Sequence, residues 1–374
     1  MSICEGSCSA RGFPAIMTSG VHAGVPLSTA EVLKSPFAHA PHVVILDSAV
    51  VPDSADAVVE SEVLRGHCRL SRVCVSSPEE AVWSAADADG ILLWHHVELS
   101  GPMLQRLDRC RAIVRNGVGF DNVDVDACSA LGISVCNVPD YGTEEVADHA
   151  LALALCLTRR ITPAAASVRS GQWDWRSAQP VRRSSTRTFG VLGLGRIGTA
   201  VALRAKAFGF RVVFCDPFRP DGVDKALGLR RAPDLPSLLR QSDILSIHTP
   251  LTAETRYMIS AAALSQLPDG AVVVNTARGP VVDEGALAEA LHQGRLAGAG
   301  LDVVEQEPSP DPRLLSHPNC IVTPHSAFYS EESLREMREK SARTVLEILQ
   351  GHPARNLVNC PAAPRAILPE GVTV

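Results

Sequence analysis

The sequence predicts an α/β protein with doubly wound parallel sheets, and three observations support this expectation. From Val43 onward, short apolar runs alternate with amphipathic stretches, a rhythm typical of strands covered by helices. A second series with the same rhythm begins at Phe189. Within it, residues 193–198 read Gly-Leu-Gly-Arg-Ile-Gly, follow an apolar strand and open a helix, as a dinucleotide-binding turn requires.

The first series contains five expected strands and several helices. The strands are predicted at residues 43–46, 70–75, 90–94, 112–115 and 134–136, and the helices at 54–64, 78–86 and 123–131. One long helix is expected over 143–160, with Thr143 as its N-cap. Its middle is apolar on most faces, so it should be buried between layers. Residues 171–188 show no periodicity and carry Arg182, Arg183 and Arg187, and we expect a solvated loop there rather than an anion site.

The second series has the same organisation and ends in a long helix. Strands are predicted at residues 190–192, 211–215, 244–248, 271–275, 297–301 and 320–322, and helices at 197–208, 235–241, 261–266 and 284–293. The last helix is expected over 331–350, with Gly351 ending it. The first 40 residues are rich in Ser, Ala, Gly and Pro, and we expect them to be a disordered extension.

The composition excludes several classes of protein. The chain has 374 residues, which is enough for two domains, and its 46% hydrophobic and 20% charged residues are ordinary for a soluble enzyme. A net charge of −6 argues against nucleic acid or an anionic membrane as the partner. The longest apolar run, residues 150–157, is too short to span a bilayer, and no signal peptide pattern is visible. The 11 cysteines form no CxxC pair, which favours reduced thiols in the cytoplasm.

Each glycine of the turn at 193–198 has a physical reason. Gly193 permits the tight turn, Gly195 lets the backbone approach a pyrophosphate, and Gly198 lets helix and strand pack closely. The backbone of Arg196 and Ile197, at the start of the helix, would then bind the pyrophosphate through free N–H groups.

The next strand ends at Asp216, where a carboxylate accepts hydrogen bonds from the ribose hydroxyls. Asp216 would repel the 2′-phosphate of NADP, so NAD is the expected cofactor, although Arg219 nearby points the other way. We also expect the cofactor to contact Thr249, Pro250 and Ala277, which follow later strands.

Three chemically useful side chains, Arg278, Glu307 and His325, also follow strands of the second series. The carboxyl ends of parallel strands share one edge of a sheet, so these side chains should converge where open α/β sheets bind ligands. Arginine can hold a carboxylate with two hydrogen bonds, histidine can transfer a proton, and glutamate can hold the histidine in its charged form. The set therefore predicts the catalytic machinery of a 2-keto acid reductase.

The expected roles follow from the charge that develops during hydride transfer to a carbonyl carbon. His325 would donate a proton to the carbonyl oxygen, and Arg278 would stabilise the charge on it. Glu307 would favour the imidazolium, and Asp302 would hold the nicotinamide carboxamide. Reduction should accordingly slow as the pH rises and His325 loses its proton.

These residues resemble the D-2-hydroxyacid dehydrogenase family over roughly positions 43–360, and within it the C-terminal-binding proteins. The stretches that carry the resemblance are residues 119–122, 201–210, 275–279 and 329–331. The resemblance implies two Rossmann-like domains: a split substrate domain at 41–142 plus 325–360 and an inserted NAD-binding domain at 143–324, with a tail at 361–374. It also implies a homodimer built through the NAD-binding domains.

The resemblance also implies roles that the residues alone do not reveal. Arg278, Glu307 and His325 match the family's catalytic Arg, Glu and His. Arg115 matches an arginine that binds the substrate carboxylate, and His95 matches a histidine at the rim of the cleft.

Further residues of the cleft either match the family or depart from it. The backbone of Val118 and Gly119 matches the loop that binds the carboxylate. Phe328 stands where C-terminal-binding proteins carry Trp, and Tyr141 belongs to a loop unlike theirs and could enter the cleft. Formate dehydrogenases carry Gln where this chain has Glu307, and phosphite oxidisers carry Lys where it has Val118. We therefore expect neither formate nor phosphite as the substrate.

Three functions stay open at this point. The leading hypothesis is an NAD-dependent reductase that makes a D-2-hydroxy acid. The second is an NAD(H)-sensing module that recruits partners, as the likeness to C-terminal-binding proteins suggests. The third is a specialised biosynthetic dehydrogenase that acts on a phosphonate or a sugar acid, with Phe328, Tyr141 and Arg115 setting selectivity.

Overall fold

The computed structural model describes residues 32–33, 40–49, 56–361 and 363–365 of the chain. In this part, two sheets of mainly parallel strands are covered by helices, which confirms the predicted α/β fold. Most of the expected disordered extension over residues 1–40 lies outside the described residues. At 32–33 the structure differs from that expectation, because these residues pair antiparallel with a neighbouring strand.

The first sheet and its helices are built from the first part of the chain. The elements are β1 (Val32–Leu33), β2 (His42–Ser48), α1 (Val58–Leu64), β3 (Arg69–Val75), α2 (Pro78–Ser84), β4 (Gly90–Leu93), α3 (Gly101–Leu104), β5 (Ala112–Arg115), α4 (Val125–Ala130) and β6 (Ser134–Cys136). Two helices follow, α5 (Thr143–Thr158) and α6 (Ile161–Arg169).

The second sheet follows α6. Its elements are β7 (Thr188–Leu192), α7 (Arg196–Ala207), β8 (Arg211–Cys215), α8 (Val223–Leu227), β9 (Arg230–Arg231), α9 (Leu235–Leu239), β10 (Ile244–Ile247), α10 (Ala261–Leu264), β11 (Ala271–Asn275), α11 (Glu284–His292), β12 (Leu296–Leu301), α12 (Pro312–Ser316) and β13 (Cys320–Val322). The last described helix is α13 (Glu331–Leu349), and three short 3-10 helices lie at Trp175–Ala178, Ser184–Thr186 and Gly279–Val281.

The six strands of the first sheet run in the order β1-β3-β2-β4-β5-β6, and all neighbours except β1 and β3 are parallel. Every residue of β2 is buried, because helices cover both faces of the sheet. The last helix, α13, returns to this sheet, and its Val345 and Leu349 pack with Val43 and Leu92. The core of the first sheet therefore includes a helix that follows the second sheet in the chain.

The seven strands of the second sheet run in the order β13-β12-β11-β10-β7-β8-β9, all parallel. Helix α5 lies across β12, where glycines leave room for it. A Cβ on Gly300 would lie 2.9 Å from the Cβ of Leu153, so α5 could not pack as closely against a larger residue. The predicted burial of α5 between layers is confirmed, since Leu153 and Ala154 belong to this sheet's core.

The predicted helix over 143–160 is confirmed as α5, which ends two residues earlier than expected. Helix α5 ends at Thr158, and Arg160 has a φ of 53°, a left-handed conformation from which α6 starts in a new direction. The N-cap of α5 is Gly142 rather than Thr143, whose hydroxyl instead donates to the carbonyl of Asp140. Among the described residues, no single helix is long and apolar enough to cross a membrane; α5 and α6 pass that test only as a pair bent by 61°.

The expectation of a solvated loop over 171–188 is wrong at Arg187. This side chain is only 6% exposed, and its guanidinium donates to the carbonyl of Asp243. Arg182 forms an ion pair with the same aspartate at 2.7 Å. This aspartate lies just before β10 of the second sheet. Its contacts with Arg182 and Arg187 order the segment, and a local sequence pattern cannot reveal them. The elements α3, α6, α8, β9 and α12 were not predicted.

Candidate active site

A small cavity of about 70 Å³ lies between the two sheets, at the carboxyl ends of β4 and β5 on one side and of β11 and β12 on the other. Most residues expected to bind substrate line it. They are His95, Arg115, Val118, Gly119, Tyr141, Arg278, His325 and Phe328, with Trp94, Asn116, Val146, Ile197, Thr276, Asp302, Ala327 and Met337. Glu307 does not line this cavity and lies behind His325 instead.

His325 and Glu307 form a hydrogen-bonded pair. The Nδ1 atom of His325 lies 2.8 Å from Oε2 of Glu307, and both side chains are about four-fifths buried. Burial by itself would raise the pKa of Glu307, but the hydrogen bond and the charge of His325 outweigh it and lower the pKa. Glu307 is therefore a carboxylate that occupies Nδ1, and only Nε2 is left to exchange a proton with a ligand.

The backbone of His325 is held in a left-handed conformation with a φ of 52°. Its N–H donates to the carbonyl of Asp302 at 2.8 Å. The Asp302 carboxylate accepts from the backbone N–H groups of Ser326 and Ala327, each at 2.9 Å, and from the Thr323 hydroxyl at 2.7 Å. Asp302 thus fixes the turn that carries His325, whereas its expected contact with the nicotinamide stays a prediction.

The two arginines of the cleft lie directly over glycines. A Cβ on Gly119 would collide with the guanidinium of Arg278, and one on Gly117 would collide with that of Arg115. Gly117 also has a φ of +137°, which side chains rarely adopt. These glycines let two guanidinium groups approach the backbone around Val118, so the cavity gains two positive charges in a small volume.

Asp121 is a residue of this site that the sequence analysis did not single out. Its Oδ1 lies 3.0 Å from Nε of Arg278, whose Nη1 donates to the carbonyl of Ala277. Burial would raise the pKa of Asp121, but the charge and hydrogen bond of Arg278, a backbone hydrogen bond and the charge of Arg115 together outweigh it and lower the pKa. Asp121 therefore orients Arg278 and leaves Nη2 toward Gly119. The only sequence signal was its place in the family-like stretch 119–122.

His95 lies beside the acid–base pair on a loop after β4. Its ring centroid is 4.9 Å from that of His325 and 3.8 Å from that of His96. Burial, and then the charges of His325 and Arg115, lower the pKa of His95 to about 2, so its imidazole is neutral. Asn122 fixes this loop by donating to the carbonyls of Trp94 and Val97.

Aromatic side chains form one wall of the cavity. The rings of Tyr141 and Phe328 meet edge to face at 6.2 Å, and Phe328 meets His325 in the same way at 6.3 Å. Tyr141 is 8% exposed, so it does enter the cleft. This wall limits the length of any molecule that binds between the arginines and His325.

The glycine turn has the shape that a pyrophosphate needs. Gly193 has a φ of 87°, and a Cβ on Gly198 would collide with the Gly193 carbonyl, so strand and helix could not pack. At Gly195, a Cβ would meet nothing within 4 Å, so space is open there. Helix α7 begins at Arg196 without a side-chain cap, which leaves the backbone N–H groups of its first turn, including that of Ile197, for an anion.

Asp216 lies at the end of β8, beside the glycine turn. Its Oδ2 accepts from the N–H of Leu194 at 2.7 Å and its Oδ1 from that of Phe218 at 2.9 Å. Arg219 donates to the Leu194 carbonyl at 2.5 Å and lies 3.8 Å from Asp216. The carboxylate is thereby fixed beside the glycine turn, where a ribose is expected, and Arg219 is already engaged by a backbone carbonyl.

Buried hydroxyls along the same edge fit a bound dinucleotide. Among the described residues, the hydroxyls of Thr249 and Thr276 are buried without a hydrogen-bond partner, and such groups are rarely left unsatisfied. The backbone N–H of Ala277, the residue after Thr276, donates to Oδ1 of Asn275 at 3.0 Å. Pro250 is exposed. The residues present therefore fit the expected cofactor.

A dinucleotide-binding turn and a carboxylate–histidine pair on one sheet, facing a cleft toward a second sheet, define a nicotinamide-dependent oxidoreductase of two α/β sheets. Residues 151–327 match the family model described as D-isomer specific 2-hydroxyacid dehydrogenase, NAD binding domain. Together with the relatives below, this match shows that the chain belongs to the D-2-hydroxyacid dehydrogenase family, whose members are oxidoreductases acting on CH–OH groups with NAD.

Two curated relatives and one solved structure illustrate the similarity. The chain is 40% identical to glyoxylate reductase of Korarchaeum cryptofilum, over 73% of this chain and 83% of that protein. It is 36% identical to D-3-phosphoglycerate dehydrogenase of Methanocaldococcus jannaschii, over 77% of this chain but only 55% of that longer protein. Its fold resembles D-lactate dehydrogenase of Aquifex aeolicus with a TM-score of 0.77 and 31% identity, over 86% of this chain and all of that one. The narrower likeness to C-terminal-binding proteins stays a prediction.

Proposed function

We propose that the protein reduces a short 2-keto acid to the D-2-hydroxy acid, with His325 as the proton donor. The observation that carries this proposal is the His325–Glu307 pair, at 2.8 Å, beside a cavity that also holds Arg115 and Arg278. An NAD-dependent D-2-hydroxyacid dehydrogenase needs one positive group for the substrate carboxylate and one for the carbonyl oxygen. The two guanidinium groups supply them.

The proposed chemistry divides between the cofactor and the protein. Bound NADH would supply the hydride to the carbonyl carbon. As the carbon–hydrogen bond forms, the π electron pair of the carbonyl group moves to the oxygen, which takes the proton from Nε2 of His325. Arg278, held by Asp121, stabilises the developing charge, and Glu307 stabilises the imidazolium before transfer.

Substrate size follows from the cavity. Its volume of about 70 Å³ and its wall of Tyr141 and Phe328 favour acids with a short side chain. We propose that Arg115 and the backbone at Val118 and Gly119 hold the carboxylate, which directs the carbonyl carbon toward Asp302, where the nicotinamide is expected. Glyoxylate, the substrate named for one relative, is the smallest acid of this class.

Domain boundaries and assembly are part of the same proposal. We propose a substrate domain at 41–142 plus 325–360 and an NAD-binding domain at 143–324. Exposed apolar side chains on and after α6 suit a homodimer interface; they are Ile161, Val168, Trp173 and Trp175. All described cysteines are free thiols, which supports a reducing, cytoplasmic location.

The test is NADH oxidation at neutral pH with a panel of 2-keto acids from glyoxylate to aromatic and phosphonate-bearing acids. Arg278→Ala should lower kcat/KM by about 10²–10³-fold, as the loss of one stabilising donor does. Arg240→Ala, which changes an exposed arginine outside the cleft, should leave it unchanged. If the protein binds NADH but oxidises it with none of the acids in the panel, the proposal is overturned.

A further inference from the structure

Beside the substrate cavity, which His95 also lines, two histidines and a carboxylate come together without serving the proposed hydride transfer as a set. One ligand atom each from His95, His96 and Glu307 lies within 4.8 Å of the other two. The histidines belong to the loop after β4, whereas Glu307 belongs to the loop after β12. The cluster therefore joins the two sides of the cleft.

We propose that His95, His96 and Glu307 form a binding site for a divalent transition-metal ion such as Zn²⁺, and that the bound ion inhibits the enzyme. The binding half of this inference stands on the cluster alone, and the inhibitory half rests on the proposed function.

The donor set suits this class of ion. Two imidazole nitrogens and one carboxylate oxygen are a known protein ligand set for Zn²⁺, with a fourth position open to water. Such a tetrahedral ion needs donors about 3.4 Å apart. Side-chain movements that shorten the observed spread of 4.8 Å by about 1.4 Å meet that need.

The surroundings offer access and firm support. A cavity of about 230 Å³, distinct from the substrate cavity, is lined by His96 and Glu307 together with Glu98 and Ser76. An ion can reach the cluster from this side without passing the substrate. Asn122 fixes the loop that carries both histidines, and a fixed loop lowers the ordering cost of binding.

Inhibition follows from the double use of Glu307. Its Oε2 is the partner of His325 Nδ1. An ion on Glu307 would compete with that hydrogen bond, so His325 would lose the contact that orients its ring toward the substrate. The ion would also hold the two loops together.

The binding test uses the full-length protein. Co²⁺ absorption and Zn²⁺ calorimetry should detect one site, and His96→Gln should weaken binding at least about tenfold. His352→Gln, which removes an exposed histidine far from the cluster in sequence, should bind as the wild type does. No binding by the wild type would overturn the inference. Equal binding by the wild type and His96→Gln would also overturn it, because the ion would then lie elsewhere, for example on a cysteine.

The second readout is activity. Zn²⁺ should inhibit reduction by the wild type and by His352→Gln, and a chelator should restore it. His96→Gln should keep its basal rate but require at least about tenfold more Zn²⁺ for the same inhibition. If no keto acid is reduced, the proposed function fails while the binding test still decides the site. Binding at His96 without inhibition would overturn the inhibitory half.

Discussion

Asp302 and His325 are joined at both backbone and side-chain level. The N–H of His325 donates to the Asp302 carbonyl at 2.8 Å, and the Asp302 carboxylate accepts from the two N–H groups that follow His325 in the chain. A left-handed histidine persists only where its surroundings fix it, and here one aspartate does so. Asp302 is therefore a positioning residue for the proposed proton donor.

Asp302→Asn should lower kcat by about 10²-fold, because an amide cannot accept all these hydrogen bonds and the imidazole would move by a fraction of an ångström. The Kd of NADH should stay within about twofold, a split that steady-state kinetics and NADH fluorescence titration measure. Asp269→Asn, at an aspartate that is 92% exposed, serves as the control. A weakened Kd with an unchanged kcat would instead support the nicotinamide as the partner of Asp302.

Gly195→Ala and Gly198→Ala should separate cofactor binding from folding. A Cβ at Gly195 meets only open space, whereas one at Gly198 meets the Gly193 carbonyl. We expect Gly195→Ala to keep the wild-type Tm and bind NADH at least about tenfold more weakly, because the methyl group occupies the expected pyrophosphate position. Gly198→Ala should have a lower Tm and should also lose NADH binding. Tight NADH binding by Gly195→Ala would contradict the assigned position.

The ion pair between Arg338 of α13 and Glu60 of α1 should contribute strongly to stability. Both side chains are buried, with Nη2 to Oε2 at 2.7 Å, and Asp56 adds a third partner. Arg338→Met should lower the free energy of unfolding by about 3–5 kcal/mol, because Glu60 would be left charged and buried. Arg335→Met, which breaks exposed pairs on the same helix, should cost less than about 1 kcal/mol. Denaturant titration measures both changes, and equal losses would refute the argument.

His42 should make stability depend on pH. Burial lowers its pKa from 6.5, although Asp87 opposes the shift, so the unfolded chain takes up a proton at a higher pH than the folded chain. The stability that His42 contributes is therefore complete above pH 6.5 and is lost as the pH falls below it, by at most about 1.4 kcal/mol per pH unit.

The measurement for His42 compares unfolding at pH 7.5 and at pH 5.5 for the wild type, His42→Gln and the exposed control His67→Gln. The free energy of unfolding should drop less with acidification in His42→Gln than in the other two. A drop of the same size in all three would show that His42 does not titrate as argued.

Local patterns were enough for most strands and for the glycine turn. Apolar runs such as those of β2 and β11 are buried on both faces, so their composition alone identifies them. Patterns failed where distant residues decide the conformation. Arg187, for example, is buried because Asp243 lies beside it.

The sequence by itself determined the fold class, the dinucleotide turn and the types of the reacting groups, because hydrophobic period and glycine spacing are local properties. Only the tertiary structure decided which groups meet. The groups that meet are far apart in sequence: Asp121 and Arg278, Asp302 and the turn at His325, and Glu307 with His95 and His96. Their contacts depend on how two sheets face each other, a relation set by packing and carried by no local pattern.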